Sequence, residues 1–181
     1  MGANIFSIGA AMAALGPLAR QNLFLFEINS VPAGGNPEDI RFSAETASVP
    51  KSTNDPMLVP WMNSEYKIPG ITKYENIEVA LRVSEQNNMR IYDLLYNWYK
   101  LIYDPANGQQ QVPKDTMKDG KITLLNYQGG IVKAWDVVNM FPTSCGGTPL
   151  TRDSGDKQVM TVSFAYTYAT MNNGGYGSFL G

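Results

Sequence analysis

The chain of 181 residues has no histidine and a single cysteine, Cys145. Without histidine it lacks the commonest metal ligand and the commonest general acid or base, and with them the Ser-His and Cys-His routes to an activated nucleophile. One cysteine forms no internal disulfide, so nothing in the chain argues for an oxidising compartment. Charge is scarce too: 14 Lys and Arg stand against 16 Asp and Glu, for a net charge of −2, and no basic cluster is present. Grip on a phosphate backbone comes from concentrated Lys and Arg, so tight nucleic-acid binding is excluded. With 44% hydrophobic and only 17% charged residues, little charge is available to keep a free monomer soluble, and some surface is expected to be buried against copies of the chain. Long apolar runs are also missing. The N-terminal MGANIFSIGAAMAALGPLARQN is interrupted by Gly9, Gly16 and Pro17 and carries its first charge at Arg20, which fits neither a secretory signal nor a membrane span. Residues 1–21 read as an arm, and the Gly-rich 171–181 as a flexible tail.

Between them lies material for one domain, residues 22–170. LFLFEINSV is apolar on both faces and reads as a covered strand, followed by the turn cluster PAGGNPED and a second strand through Ile40, Phe42 and Ala44. The two are expected to pair as a long-looped hairpin. Residues 48–67 hold Pro50, Pro56 and Pro60, which predicts a long loop outside any sheet, either a surface loop or an arm ordered on a neighbouring subunit. In NIEVALRVSE, Ile77, Val79, Leu81 and Val83 alternate with Glu78, Ala80, Arg82 and Ser84, giving one apolar and one wet face. The period then becomes helical. Ile91, Leu94, Leu95, Trp98, Leu101 and Ile102 predict an amphipathic helix over about 88–103, capped by Asn87 or Asn88 and closed by Pro105, with Tyr92, Tyr96, Tyr99 and Tyr103 widening its buried face. A polar loop leads to the strands KITLLNY and IVKAWDVV, joined at Gly129-Gly130 by a tight turn. The last strand, DKQVMTVSFAYTYA, sets Met160, Val162, Phe164, Tyr166 and Tyr168 against a small polar face. The fold class is mainly β (α+β): an antiparallel barrel or sandwich of six or more strands with one flanking helix.

Catalytic, cofactor and metal sites find no support. Cys145 in TSCGG lacks both a base and the spacing of a nucleophile elbow, and reads as an inert, partly buried thiol. The glycine pairs read as turns, because none follows a strand and opens a helix as a phosphate loop must. The acidic residues are scattered, with neither calcium-loop spacing nor a marked carboxylate pair.

The order of features from Asn22 to Ala169 resembles the tail tube proteins of contractile-tailed, T-even-like bacteriophages, relatives of the tube proteins of type VI secretion and contractile injection particles. The resemblance rests on LFLFEIN; on RFSAETASV leading into a long loop; on KIPGITKYENIEVALR, with Pro69, Gly70, Lys73, Tyr74 and Arg82; on a helix carrying Trp98; and on AWDVVNMFPTS, with Trp135 as core anchor against that helix and Phe141-Pro142 as the corner ending the strand. Two positions depart from the family pattern: Val83 stands where Gly often follows the Arg, and Phe141 where a second Trp often precedes the proline.

The resemblance implies a non-enzymatic structural subunit. Six copies would form a ring whose sheets join into one barrel around a channel, and rings would stack into a tube with sheath, baseplate and tape-measure partners. Such a tube belongs to a virion assembled in the host cytoplasm; DNA passes through it without specific binding, and no small-molecule ligand or cofactor is expected. Within that arrangement strand alternation turns Glu78, Arg82, Asp136, Thr161, Ser163 and Thr167 toward the channel, and the proline-rich loop, with Lys51, Asp55 and Trp61, is expected to make the contacts between rings. Two other readings stand beside this one: the tube of a secretion or injection particle, and a monomeric ligand-binding β-barrel.

Overall fold

The computed structural model describes residues 22–85, 89–146, 152 and 157–173. The N-terminal arm, the Asn87-Asn88 cap and residues 174–181 of the tail lie outside the described residues, whereas 171–173 belong to a strand.

Seven antiparallel strands form the body: β1 (Phe24–Ile28), β2 (Ala44–Ala47), β7 (Ile77–Arg82), β8 (Lys118–Leu125), β9 (Ile131–Cys145), β10 (Val159–Ala165) and β11 (Tyr168–Asn173). β1, β8, the first half of β9 and β11 make one sheet. The second half of β9, β10, β7 and β2 make the other. The arrangement is an open sandwich whose outer strands β1 and β2 are not hydrogen-bonded to each other.

The hinge between the sheets is Asn139, whose φ of 56° lies in the left-handed region that Asn tolerates. Its N–H donates to the Asp119 carboxylate at 3.0 Å. Phe141-Pro142 therefore does not end the strand. β9 runs on to Cys145, with Phe141 opposite Ala165 and Pro142 opposite Phe164. This half of β9 is a sheet edge, where a missing N–H leaves no ladder bond unmade.

The second predicted strand is mostly a helix, α1 (Pro37–Ser43). Asn36 caps it by accepting from the Glu38 N–H at 3.1 Å, Pro37 presets the first turn, and Glu38 and Asp39 favour its positive end. Those start signals outweigh the short alternation of Ile40 and Phe42, leaving Ile40 buried and Phe42 exposed. Only Ala44–Ala47 is strand, and it pairs with β7 instead of β1.

The main helix, α2 (Arg90–Ile102), starts from Met89, itself left-handed at φ 58°, and buries Ile91, Leu94, Leu95 and Trp98. Tyr92, Tyr96, Tyr99 and Tyr103 do not extend that buried face. They lie on the solvent side of the helix, all exposed. The Trp98 indole N–H donates at 2.7 Å to the Thr116 carbonyl in the short helix α3 (Pro113–Thr116), which interrupts the expected polar loop. The Phe164 ring stands 5.9 Å from both Trp98 and Phe26, joining α2, one sheet and the other. Trp135 is half-buried against the same cluster. The predicted closing strand is two, β10 and β11, separated at Tyr166-Thr167, so Tyr166 is buried and Tyr168 exposed. The β8–β9 turn is longer than a two-residue primed turn: Asn126 Oδ1 accepts from the N–H groups of Gln128 and Gly130, and Gly129 alone takes positive φ, at 78°.

Phe164→Ala removes the ring shared by the three layers. Urea denaturation is expected to show a loss of about 3–5 kcal/mol, whereas Thr161→Ala, on the exposed side of the same strand, stays within about 0.5 kcal/mol.

Candidate functional site

Among the described residues, two surfaces stand without a partner. The first grows out of the proline-rich segment, which is a β-ribbon and not a structureless loop. β3 (Ser52–Asn54) pairs with β6 (Thr72–Tyr74), and further out β4 (Met57–Trp61) pairs with β5 (Ser64–Ile68). A two-stranded ribbon sends every second N–H outward, so Pro60 sits in it without breaking the ladder. Lys51 forms an ion pair with Glu75 at the base, 2.7 Å apart, and Asp55 pairs with Lys73 midway. Trp61 stands at the tip, beside Met62 in the Met62-Asn63 turn. Tyr74 anchors the base, its ring 5.7 Å from that of the buried Tyr166.

An isolated hairpin is marginally stable in water, and among the described residues this one has no core beneath it. Met57, Leu58, Trp61, Met62 and Tyr66 are all exposed, Trp61 by 67% and Met62 by 91%. Met62 also takes positive φ, 52°, where Gly or Asn costs less. An exposed apolar tip on a marginal support is the signature of a surface that another chain covers. The sequence signal for it was the alternation in MLVPW and SEYKI, which the prolines obscured.

The second surface is the outer face of the β9-β10-β7-β2 sheet. Glu78, Arg82, Thr161 and Ser163 all point away from the core, with Ser163 directly opposite Glu78 and Thr161 opposite Ala80. Asp136 and Thr167 do not join them. Asp136 lies on the outer face of the other sheet, 3.9 Å from Lys121, and Thr167 is in the corner between β10 and β11, its N–H donating to the Val138 carbonyl at 3.0 Å. Sequence reading missed Glu45, whose carboxylate accepts from Lys157 Nζ at 2.6 and 2.7 Å and from Arg82 Nε at 3.1 Å. Lys157 lies 112 residues from Glu45 and no local pattern connects them. The hydrogen bond from Lys157, aided by both nearby cations, holds Glu45 below the usual carboxylate range. The face is thus small, polar and balanced in charge. Cys145, at the end of β9, is half-buried against the core, and that burial pushes its pKa up to about 11.

The profile of the family described as T4-like virus tail tube protein gp19 matches residues 20–170. In fold the chain is similar to a chain of the extended sheath-tube complex of an extracellular contractile injection system, PVC. That match has 20% identity and a TM-score of 0.66, covering 92% of this chain and 99% of that one. It is likewise similar to a chain of the anti-feeding prophage cap, the AFP tube terminating cap, at 21% identity and a TM-score of 0.65, covering 87% of this chain and 93% of that one. No curated protein sequence matches.

The state of Cys145 is checked by thiol labelling. At pH 8 only about 0.1% of a thiol with this pKa is thiolate, so labelling of the folded chain is expected to run about 100-fold slower than in denaturant. Because the folded value is raised from the ordinary 9.0, the stability that the neutral thiol contributes is whole below pH 9 and is lost as pH rises through about 11.

Proposed function

Because the chain belongs to the family of T4-like virus tail tube proteins, we propose that six copies form a ring, and that rings stack into a tube conducting DNA through the host envelope. The observation that carries this reading is the pairing of an apolar-tipped ribbon that needs cover with a polar, charge-balanced sheet that does not. The chain is a structural tube subunit of a contractile tail, and its chemistry is mechanical.

The β9-β10-β7-β2 sheet is the one we assign to the channel. It has two open edges, β2 and residues 141–145 of β9, so β2 of one subunit can continue the sheet of its neighbour, closing a shared barrel and removing edges that would otherwise aggregate. Glu78, Arg82, Thr161 and Ser163 then line the wall. Their mixed charge gives DNA no cationic surface to adhere to. Asp136, on the opposite face of the sandwich, belongs to the exterior. The ribbon, from Lys51 through Asp55 to Trp61, reaches the adjoining ring, with sheath, baseplate and tape-measure proteins as the further partners. Assembly takes place in the host cytoplasm and the tube resides in the virion. Domain organisation follows the same lines: an arm over 1–21, the tube domain over 22–170, and a tail.

The fold shared with contractile injection systems supports a second reading, in which the same tube serves an injection particle. Capsid genes beside the gene favour the virion, and their absence beside a sheath gene favours the particle.

Electron microscopy of the purified chain is expected to show six-fold rings and tubes. A species that sediments only as monomer at high concentration overturns the tube reading in favour of a monomeric β-barrel. Deleting 57–68 is expected to leave rings and abolish long tubes; unchanged polymerisation refutes the ribbon's role. In a Cys145→Ser background, Thr161→Cys in assembled tubes should react with a small maleimide but not with one carried on a bulky polymer, whereas Tyr96→Cys should react with both. Equal access of the bulky reagent to both positions removes Thr161 from the channel.

A further inference from the structure

The ribbon over residues 52–74 has two parts, and the break between them is built. Asn54 pairs with Thr72 and Met57 with Ile68, so Asp55 and Pro56 on one strand face Pro69, Gly70 and Ile71 on the other. The extra residue forces a bend, as in a β-bulge, and two prolines at the bend supply no N–H to bridge it. A side chain bridges it instead. Asn54 Oδ1 accepts from the Gly70 N–H at 3.0 Å, while its Nδ2 donates to the Gly70 carbonyl and to Thr72 Oγ1, each at 3.1 Å. The Asp55 N–H donates to the Ile71 carbonyl at 3.1 Å, and the Asp55 carboxylate pairs with Lys73. Gly70 does not take positive φ; it is needed for closeness. A Cβ there would fall well inside contact distance of the Asp55 carbonyl oxygen, which is backbone and has no rotamer to escape into.

The geometry points to Asn54 and Gly70 as positioning residues: a joint that fixes the angle at which the distal ribbon leaves the body, and so where its Trp61-Met62 tip meets a neighbouring copy. The inference rests on the reading of the ribbon as a contact between rings. Below the joint, the base is held by the Lys51–Glu75 pair and by Tyr74 against Tyr166. Among the described residues nothing holds the tip above it and no apolar layer lies under the bend, so the direction of the outer ribbon is set by the Asn54 amide and the absent Cβ of Gly70, together with the Asp55 contacts to Ile71 and Lys73. A ribbon pointing elsewhere would still fold and still expose its apolar tip, but the tip would miss its seat.

The test separates direction from mere stability. In a Cys145→Ser background, nitroxides on Asn63→Cys at the tip and Tyr96→Cys on α2 report the angle as a distance distribution, measured in rings diluted with unlabelled chain. Gly70→Ala and Asn54→Ala are expected to shift or broaden that distribution, to leave rings intact by sedimentation, and to cut tube length in electron micrographs. Asn54→Asp keeps the acceptor for Gly70 and loses both donations, and should fall between Asn54→Ala and the parent on both readouts. Where Gly70→Ala fails to fold, Asn54→Ala carries the test, since its side chain is exposed. An unchanged distribution in Asn54→Ala overturns the inference, and so does a shifted distribution with tubes of normal length. Failure here is distinct from failure of the ring-contact reading. If deletion of 57–68 stops tube growth while the joint variants change nothing, the joint alone is wrong; if the deletion leaves tubes unaffected, both fall.

Discussion

One strand has to serve two sheets, and the rest of the molecule is arranged around that constraint. β9 gives its first half to β8 and β11 and its second half to β10, turning at Asn139. A left-handed residue inside a strand is normally a fault; here it aims the two halves so that their inner faces enclose one core. Phe164 fills the angle thus created, in contact with Phe26 from one sheet and Trp98 from the helix. With the sheets joined along β9, β1 and β2 are not hydrogen-bonded to each other, and among the described residues the β9-β10-β7-β2 sheet keeps open edges.

Much of this was legible in the residues because it is periodic. The alternation in NIEVALRVSE marks both the buried Ile77, Val79 and Leu81 and the outward Glu78 and Arg82, and helical spacing marks Ile91 to Trp98. What periodicity alone does not decide is which of two competing local signals prevails. Ile40 and Phe42 alternate like a strand, yet the Asn36-Pro37 start makes them helical. Prolines in 48–67 argue against a sheet, yet a ribbon open on both sides accommodates them. The tyrosines of α2 were misread for a different reason: aromatic bulk suggests burial, but a helix on the surface has a far side, and these residues occupy it. The outward sheet face was half visible. Glu78, Arg82, Thr161 and Ser163 follow from parity within two strands, whereas Asp136 and Thr167 depend on a sheet change and a corner that no parity count registers. The Glu45–Lys157–Arg82 group lies beyond local pattern altogether, since its members meet only after the sheet has formed.

The two unpartnered surfaces differ in what holds them. The outer sheet face is backed by the full core, so its shape is as rigid as the body. The ribbon is held by hydrogen bonds, two ion pairs and a tyrosine contact at its base, and its apolar tip is exposed. A rigid sheet face and a lightly held ribbon thus have different physical supports within one domain.

The position of Phe164 also governs when the subunit comes into being. β1 waits for β8, and β7 waits for β10, two pairings that each span a long stretch of chain, and the core lacks its central ring until the closing strand arrives. Such non-local pairings form slowly, because the loop must close before its contacts can stabilise it. The helices, the ribbon and the β8–β9 hairpin are local, whereas the sheet of β9, β10, β7 and β2 is complete only once β10 has been made.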